Sequence, residues 1–151
     1  AAGGLLSMRW TSTTMKFLLQ RIKVSAVITT AFGTAQENSV DLVRLVNYSA
    51  VDSGGSALVP ISDNYKKLVG MADSAISDLR VSTTAALTDG TGTAKSASGS
   101  AILPFKTGVV GEAAEAILYD ISPGIESPLE IAYNSGFRIR NLFAQGATGV
   151  V

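Results

Sequence analysis

The sequence contains neither histidine nor cysteine among its 151 residues. Histidine is the side chain that titrates near neutrality and is also the commonest metal ligand. The lack of cysteine excludes disulfides, thiolate nucleophiles and thiolate zinc sites. We therefore predict no catalytic residue, no cofactor-binding residue and no metal ligand, and we expect that the protein is not an enzyme.

Charge is scarce as well. Charged residues make up 16% of the chain, whereas soluble domains average about 25%. Twelve basic and twelve acidic residues cancel, so no long-range field attracts nucleic acid or an anionic membrane, and neither is expected as a partner. With 46% hydrophobic residues, the chain is predicted to be covered largely by neighbours. The alternative is a well-packed monomer with a Ser/Thr-dominated surface.

Long hydrophobic runs are also missing, because polar residues interrupt every apolar stretch before it reaches the roughly 18 residues that span a bilayer. The amino end, Ala-Ala-Gly-Gly-Leu-Leu, has no initiator Met and no basic segment, so it does not resemble a signal peptide. We interpret it as a processed or truncated start. Residues 1–15 are predicted to form an N-terminal arm, and residues 16–151 one domain.

Alternation of apolar and polar residues predicts strands over 16–28 and 39–48. In the first segment the even positions are mostly apolar, and in the second both faces carry apolar residues. Short apolar segments bounded by Gly, Pro, Asn or Ser follow at 101–105, 116–121, 128–132 and 137–143. Several short strands at this spacing are typical of a β-sandwich or jelly roll.

The segment between these groups is less regular. Residues 52–56, Asp-Ser-Gly-Gly-Ser, have the composition of a turn. Apolar residues then recur at helical spacing over 65–79, with Ser62 or Asp63 as a possible cap, although Gly70 weakens a helix. Residues 76–83 fit a strand equally well. The fold class is therefore mainly β, a β-sandwich or jelly-roll-like single domain with at most one short helix.

Residues 88–100 are low in complexity, being built from Thr, Gly, Ala and Ser with one Asp and one Lys. Such a composition fills no core, so an exposed loop or an arm ordered by a neighbour is expected. Part of this segment, 90–96, superficially resembles a phosphate-binding loop. Ala94 and Asp89 stand where that motif requires glycine, which favours a flexible loop.

Two acidic pairs are the remaining candidates for chemistry: Glu112 with Glu115, and Glu126 with Glu130. A glycosidase needs two carboxylates about 5 to 10 Å apart beside a sugar cleft, and sequence spacing does not establish that distance. Solvated surface is the favoured interpretation. Five aromatic residues could either stack on sugar rings or pack in the core or against another subunit, and packing is the favoured interpretation. They are Trp10, Tyr48, Tyr65, Tyr119 and Tyr133.

Two groups of segments together resemble a family of tailed-bacteriophage virion proteins. The first combines Val-Asp-Leu at 40–42, Asp-Ser-Gly-Gly at 52–55 and Asp-Leu-Arg-Val-Ser-Thr-Thr-Ala-Ala-Leu-Thr at 78–88. The second combines Pro-Leu-Glu-Ile-Ala at 128–132, Gly-Phe-Arg-Ile-Arg-Asn at 136–141 and Gly-Ala-Thr-Gly-Val-Val at 146–151. In such proteins one more strand rich in Val and Thr follows, so the resemblance predicts that the native chain continues past Val151 and that 16–151 lacks a final strand.

The resemblance implies a β-rich structural protein of the virion that decorates or cements the capsid surface. It would act as a homo-oligomer, a trimer, in contact with the major capsid protein of the shell. One alternative is a tail or fibre module that binds host surface glycans. A third possibility is an enzyme that cleaves carbohydrate with paired acids.

Overall fold

The computed structural model describes residues 3–30, 38–58, 76–83, 85–103, 110–111, 113–121 and 128–142, and these form ten strands. The strands are β1 Gly3–Trp10, β2 Phe17–Leu19, β3 Arg21–Val27, β4 Asn38–Ala50, β5 Ser56–Leu58, β6 Ile76–Val81, β7 Thr91–Leu103, β8 Ala113–Asp120, β9 Leu129–Ile131 and β10 Ser135–Asn141. The mainly β class predicted from the sequence is confirmed.

Six strands form one antiparallel sheet in the order β5-β6-β1-β10-β4-β7. Two small antiparallel sheets, β2–β9 and β3–β8, complete the described strands. The central strands β1 and β10 pair from Gly3 opposite Asn141 to Trp10 opposite Ser135. The two ends of the described chain are therefore hydrogen-bonded neighbours in the middle of the sheet.

The main core lies between the six-stranded sheet and the two small sheets. The large sheet contributes alternate apolar residues of β1, β4 and β10, and the small sheets contribute residues of β2, β8 and β9. The cluster comprises Met8, Trp10, Leu19, Ile28, Val40, Leu42, Ala114, Leu118, Ile131, Phe137 and Ile139. Because side chains alternate across a strand, the intervening residues of β1, β4 and β10 lie on the opposite face of the large sheet.

That opposite face is polar at its centre. Arg138 of β10 lies between Ser7 of β1 and Val43 of β4 in one cross-strand row. A smaller apolar cluster of Val43, Leu45 and Tyr48, with Val51 packed against it, covers part of the same face. Strict alternation along β4 would place Tyr48 on the face of Val40 and Leu42. Tyr48 joins the smaller cluster instead, because Asn47 adopts a positive φ of 51° and shifts the phase of the strand.

The predicted N-terminal arm over residues 1–15 is wrong for Gly3–Trp10. This segment is strand β1, which lies between β6 and β10 and buries Met8 and Trp10. The sequence did not reveal this strand because the adjacent apolar residues Leu5 and Leu6 interrupt the apolar–polar alternation to which Met8 and Trp10 belong.

The loop predicted over 88–100 is wrong for residues 91–100, because strand β7 spans Thr91–Leu103. Its backbone pairs with β4 from Asn38 opposite Leu103 to Ala50 opposite Thr91, with three register shifts. A strand needs no large side chains when its backbone is hydrogen-bonded along the edge of a sheet, so low sequence complexity did not exclude one.

The strand predicted over 16–28 is confirmed in position but divides in two. Along β3 the even positions face inward, as predicted, whereas Leu18 of β2 is 52% exposed and Leu19 is buried. The phase changes at Gln20, whose carbonyl oxygen accepts a hydrogen bond from the Ile121 amide. One residue outside the ladder is enough to exchange the two faces of a strand.

The remaining elements agree with the sequence where they are described. Residues 76–81 form strand β6, β9 lies within the segment 128–132, and β8 and β10 overlap the segments 116–121 and 137–143. The body of the candidate helix, up to residue 75, lies outside the described residues. Within the described part of the chain, no helix is long and apolar enough to cross a membrane.

Candidate functional site

The most elaborate polar arrangement among the described residues is a largely buried group on the second face of the large sheet, which we call the clamp. It consists of Tyr48 near the end of β4, Asp52 in the following loop, Asp89 and Gly90 just before β7, and Arg138 in the central strand β10. The clamp therefore ties two loop segments and the start of an edge strand to the centre of the sheet.

Asp52 is the centre of the clamp and has no exposed surface. Its carboxylate accepts hydrogen bonds from Arg138 Nε at 2.7 Å and Arg138 Nη2 at 2.5 Å. It also accepts bonds from the Tyr48 hydroxyl and the Gly90 amide, both at 2.8 Å, while its own amide donates to the Tyr48 oxygen at 2.9 Å. Four donors thus saturate a buried carboxylate, as a charge in a low-dielectric site requires.

These contacts set the protonation state of the clamp. Burial by itself would raise the pKa of Asp52, but hydrogen bonds from Arg138, the Gly90 amide and the Tyr48 hydroxyl outweigh it, and the pKa is lowered. Burial, followed by its bond to Asp52, raises the pKa of Tyr48. The clamp therefore holds a carboxylate, a neutral phenol and a guanidinium at neutral pH, an arrangement that positions chain segments.

Two further arginine–aspartate pairs lie on the same face. Arg140 binds Asp41 with two parallel hydrogen bonds of 2.8 and 2.9 Å, and this contact raises the pKa of Arg140. Arg9 bonds Asp78 at 2.6 Å through Nε. The remaining Nη1 of Arg138 reaches Asp89 at 2.8 Å, whose side chain is 69% exposed.

Every acidic side chain in the described part of the chain belongs to an ion pair. There are seven, and two of them were candidates for acid chemistry. Glu115 pairs with Lys23 at 2.6 Å and Glu130 with Lys16 at 2.7 Å. The other five are Asp41, Asp52, Asp78, Asp89 and Asp120. The charge of the described chain is therefore largely neutralised within the molecule.

The structure describes only some of the predicted candidates. Glu112 and Glu126 lie outside the described residues, so neither acidic pair is tested. Among the aromatic candidates, Trp10 and Tyr48 are buried, and Tyr133 is 53% exposed. Tyr65 lies outside the described residues. Within the residues described, no group of three or more acidic, histidine or cysteine side chains is placed to hold a metal ion.

The Asp52 pKa gives a prediction for stability against pH. A carboxyl group whose pKa is lowered by folding contributes stability that is complete above its unfolded pKa, near 3.9, and is lost as pH falls through the folded value. We therefore expect urea midpoints to be flat from pH 7 to about 5 and to fall steeply below about 4. The double variant Asp52→Leu, Arg138→Met should lose part of this acid sensitivity. An unchanged pH profile in that variant would contradict the assignment.

Comparisons with protein families, curated proteins and solved structures gave no match to this chain.

Proposed function

We propose that this chain is a structural component of a tailed-bacteriophage particle that decorates or cements the capsid by bridging neighbouring shell subunits. The observation that carries the proposal is the internal pairing of all seven described acidic side chains. A surface whose charges are already paired can be covered by a neighbour with little loss of charge solvation, which suits a subunit packed among others.

Exposed apolar side chains supply the contact area for such packing. Met15, Leu18 and Tyr133, each more than half exposed, belong to segments joined by hydrogen bonds. Trp10 connects the segments that carry Met15 and Tyr133. Its indole N–H donates a hydrogen bond to the Met15 carbonyl oxygen, and its backbone carbonyl oxygen accepts one from the amide of Asn134, the residue after Tyr133. Burying apolar surface contributes about 25 cal/mol per Å2, so a modest contact repeated over many copies would reinforce a shell.

The proposed assembly is a homo-oligomer on the outer surface of the capsid, with the major capsid protein as its second partner. The resemblance supports a trimer, and the low charge supports close packing of copies, which in a closed symmetric assembly covers the same patch on every copy. No bond is made or broken in this function.

The copy number in purified particles tests this proposal. Quantitative mass spectrometry of virions of the phage that encodes the chain should find tens to hundreds of copies, in stoichiometric ratio to the shell protein. A handful of copies per particle would place the chain in the tail, and its absence from the particle would refute the proposal.

A tail or fibre module that binds glycans is the second candidate, favoured by the exposed ring of Tyr133 in the turn between β9 and β10. Aromatic rings stack on sugars through their faces. Glycan-array binding that Tyr133→Ala abolishes, with Tyr119→Ala as the control, would support this candidate over the capsid role.

A further inference from the structure

The sequence contains a single Asp-Gly dipeptide, Asp89-Gly90, and no Asn-Gly. An aspartate followed by glycine is prone to isomerise, because glycine has no Cβ to shield its amide nitrogen from the preceding carboxyl group. The Asp89 side chain is largely exposed, so burial does not protect this dipeptide. By sequence and by exposure, Asp89-Gly90 is a position where the main chain can rearrange.

The rearrangement takes place in two steps and needs only water. The Gly90 amide nitrogen attacks Cγ of Asp89, the N–Cγ bond forms, and the bond between Cγ and the hydroxyl of the acid breaks. The amide proton and this hydroxyl leave as water, which gives a cyclic succinimide. Water then opens the ring at one of its two carbonyls. Opening at Cγ restores aspartate, whereas opening at the main-chain carbonyl gives isoaspartate, in which the main chain runs through Cβ and Cγ.

The fold requires glycine at this position. A Cβ at Gly90 would overlap the carbonyl oxygen of Ala50 and would lie 2.6 Å from the carbonyl carbon of Val51. Both contacts are with backbone, which cannot move aside as a flexible side chain can. Asp89 supplies the acceptor for Nη1 of Arg138. The labile dipeptide is therefore part of the clamp itself.

The closed clamp engages both reacting groups. The Gly90 amide donates a hydrogen bond of 2.8 Å to the Asp52 carboxylate, and one carboxylate oxygen of Asp89 lies 2.8 Å from Arg138 Nη1. Cyclisation needs Cγ of Asp89 and the Gly90 nitrogen in a near-attack geometry, so the Asp89 main chain and side chain must rotate. Such a rotation breaks the bonds that these groups make in the clamp.

Two further features oppose the reaction. Thr88, the residue before Asp89, exchanges two backbone hydrogen bonds of 3.0 Å with Ser53, which restrains the main chain. The lowered pKa of Asp52 makes its carboxylate a weak base, so it accepts the Gly90 N–H without removing the proton. Each reacting group is thus restrained while the clamp is closed.

We propose that Asp89-Gly90 is a latent isomerisation site, which the closed clamp suppresses and the open clamp releases. The rate then follows the population of the open form. Isoaspartate adds one carbon to the main chain ahead of Gly90, so the Gly90 amide is displaced from Asp52 and the start of β7 stays detached. The modification makes a transient opening permanent. This inference does not depend on the proposed capsid role.

Incubation of the full chain at neutral pH, folded and in guanidinium chloride, tests the proposal. Trypsin cleaves after Arg80 and Lys95 and releases residues 81–95, in which Asp89 is the single aspartate and no asparagine occurs. Chromatography with electron-transfer fragmentation then distinguishes isoaspartate from aspartate. We expect isoaspartate to form about tenfold or more faster in the denatured chain, because two hydrogen bonds to charged groups must break in the folded one. Asp89→Glu, which does not readily form the five-membered ring, should give none.

Variants separate opening of the clamp from loss of global stability. In the folded protein, Arg138→Met and the double variant Asp52→Leu, Arg138→Met should each raise isoaspartate formation about tenfold, because they remove contacts of the reacting groups. Arg140→Met, on the same strand, should not. Leu118→Ala, in the main core, is the second control. It lowers global stability and should leave the rate unchanged at temperatures where Trp10 emission is native.

Three results would overturn the proposal. Equal rates in the folded and denatured native sequence would show that the clamp does not restrain the dipeptide. Equal acceleration by Leu118→Ala and Arg138→Met would show that global unfolding governs the reaction. A denatured chain without isoaspartate would show that the site is inert. The comparison of folded with denatured chain uses the native sequence alone, so it decides the matter even where a variant fails to fold.

Discussion

Replacing Arg138 by methionine is expected to lower the free energy of unfolding by about 3–5 kcal/mol, because it leaves the Asp52 carboxylate buried without its countercharge. Asp52 has no exposed surface and the Arg138 side chain is only 8% exposed, so water does not take the place of the lost guanidinium. Urea denaturation followed by the fluorescence of the single tryptophan, Trp10, measures the loss. Trp10 is 6% exposed, so its emission reports unfolding directly.

The pair Arg140 and Asp41 provides a matched control, because Arg140 and Arg138 both belong to β10. The Arg140 side chain is 39% exposed, so water replaces part of its contact with Asp41. We expect Arg140→Met to cost about 1–2 kcal/mol. The double variant Asp52→Leu, Arg138→Met should regain much of the stability that Arg138→Met loses, since no unpaired charge remains. Equal effects at Arg138 and Arg140 would contradict the special burial of the clamp.

Replacing Gly136 by alanine is expected to cost about 3 kcal/mol or more, because the added methyl group meets backbone and not a movable side chain. A Cβ at Gly136 would overlap the carbonyl oxygen of Met8 in the neighbouring strand and would lie 3.0 Å from the Tyr48 ring. Strands β1 and β10 would have to separate at the centre of the sheet. Urea denaturation and amide hydrogen exchange in β1 both measure the effect.

Gly54 is the control for this substitution. It has a positive φ of 82°, but a Cβ there meets nothing within 4 Å. Gly54→Ala should therefore cost only the strain of a left-handed backbone, about 1 kcal/mol. If the two alanine variants were equally stable, the close approach of β1, β10 and Tyr48 at Gly136 would be wrong.

Several of the strands could be predicted because their cause is local. The alternation along β3 and the short apolar segments that became β9 and β10 follow from side-chain burial on one face, which neighbouring residues reveal. β7 could not be predicted in the same way. Up to Ala101 its residues are small apart from Lys95, so no apolar alternation marks a strand in the sequence. It is a strand because β4 offers it a ladder of hydrogen bonds, a long-range cause.

The clamp was recognisable only in pieces. The turn at 52–56 was predicted, and Gly54 and Gly55 have the positive φ angles that such a turn uses. Arg138 and Arg140 alternate with the apolar Phe137 and Ile139, which indicates a strand with one charged face. That Arg138 meets Asp52, 86 residues earlier in the chain, depends on β10 lying beside β4. Pairing of distant strands is set by the whole fold, so the partner could not be assigned from spacing.

The most direct test of the central claim is an electron cryomicroscopy reconstruction of the intact phage particle at a resolution that traces strands. The account predicts the six-stranded sheet of this chain in density on the outer capsid surface, repeated with the symmetry of the shell and touching more than one shell subunit. Density for the chain only at the tail, or none on the particle at all, would contradict it.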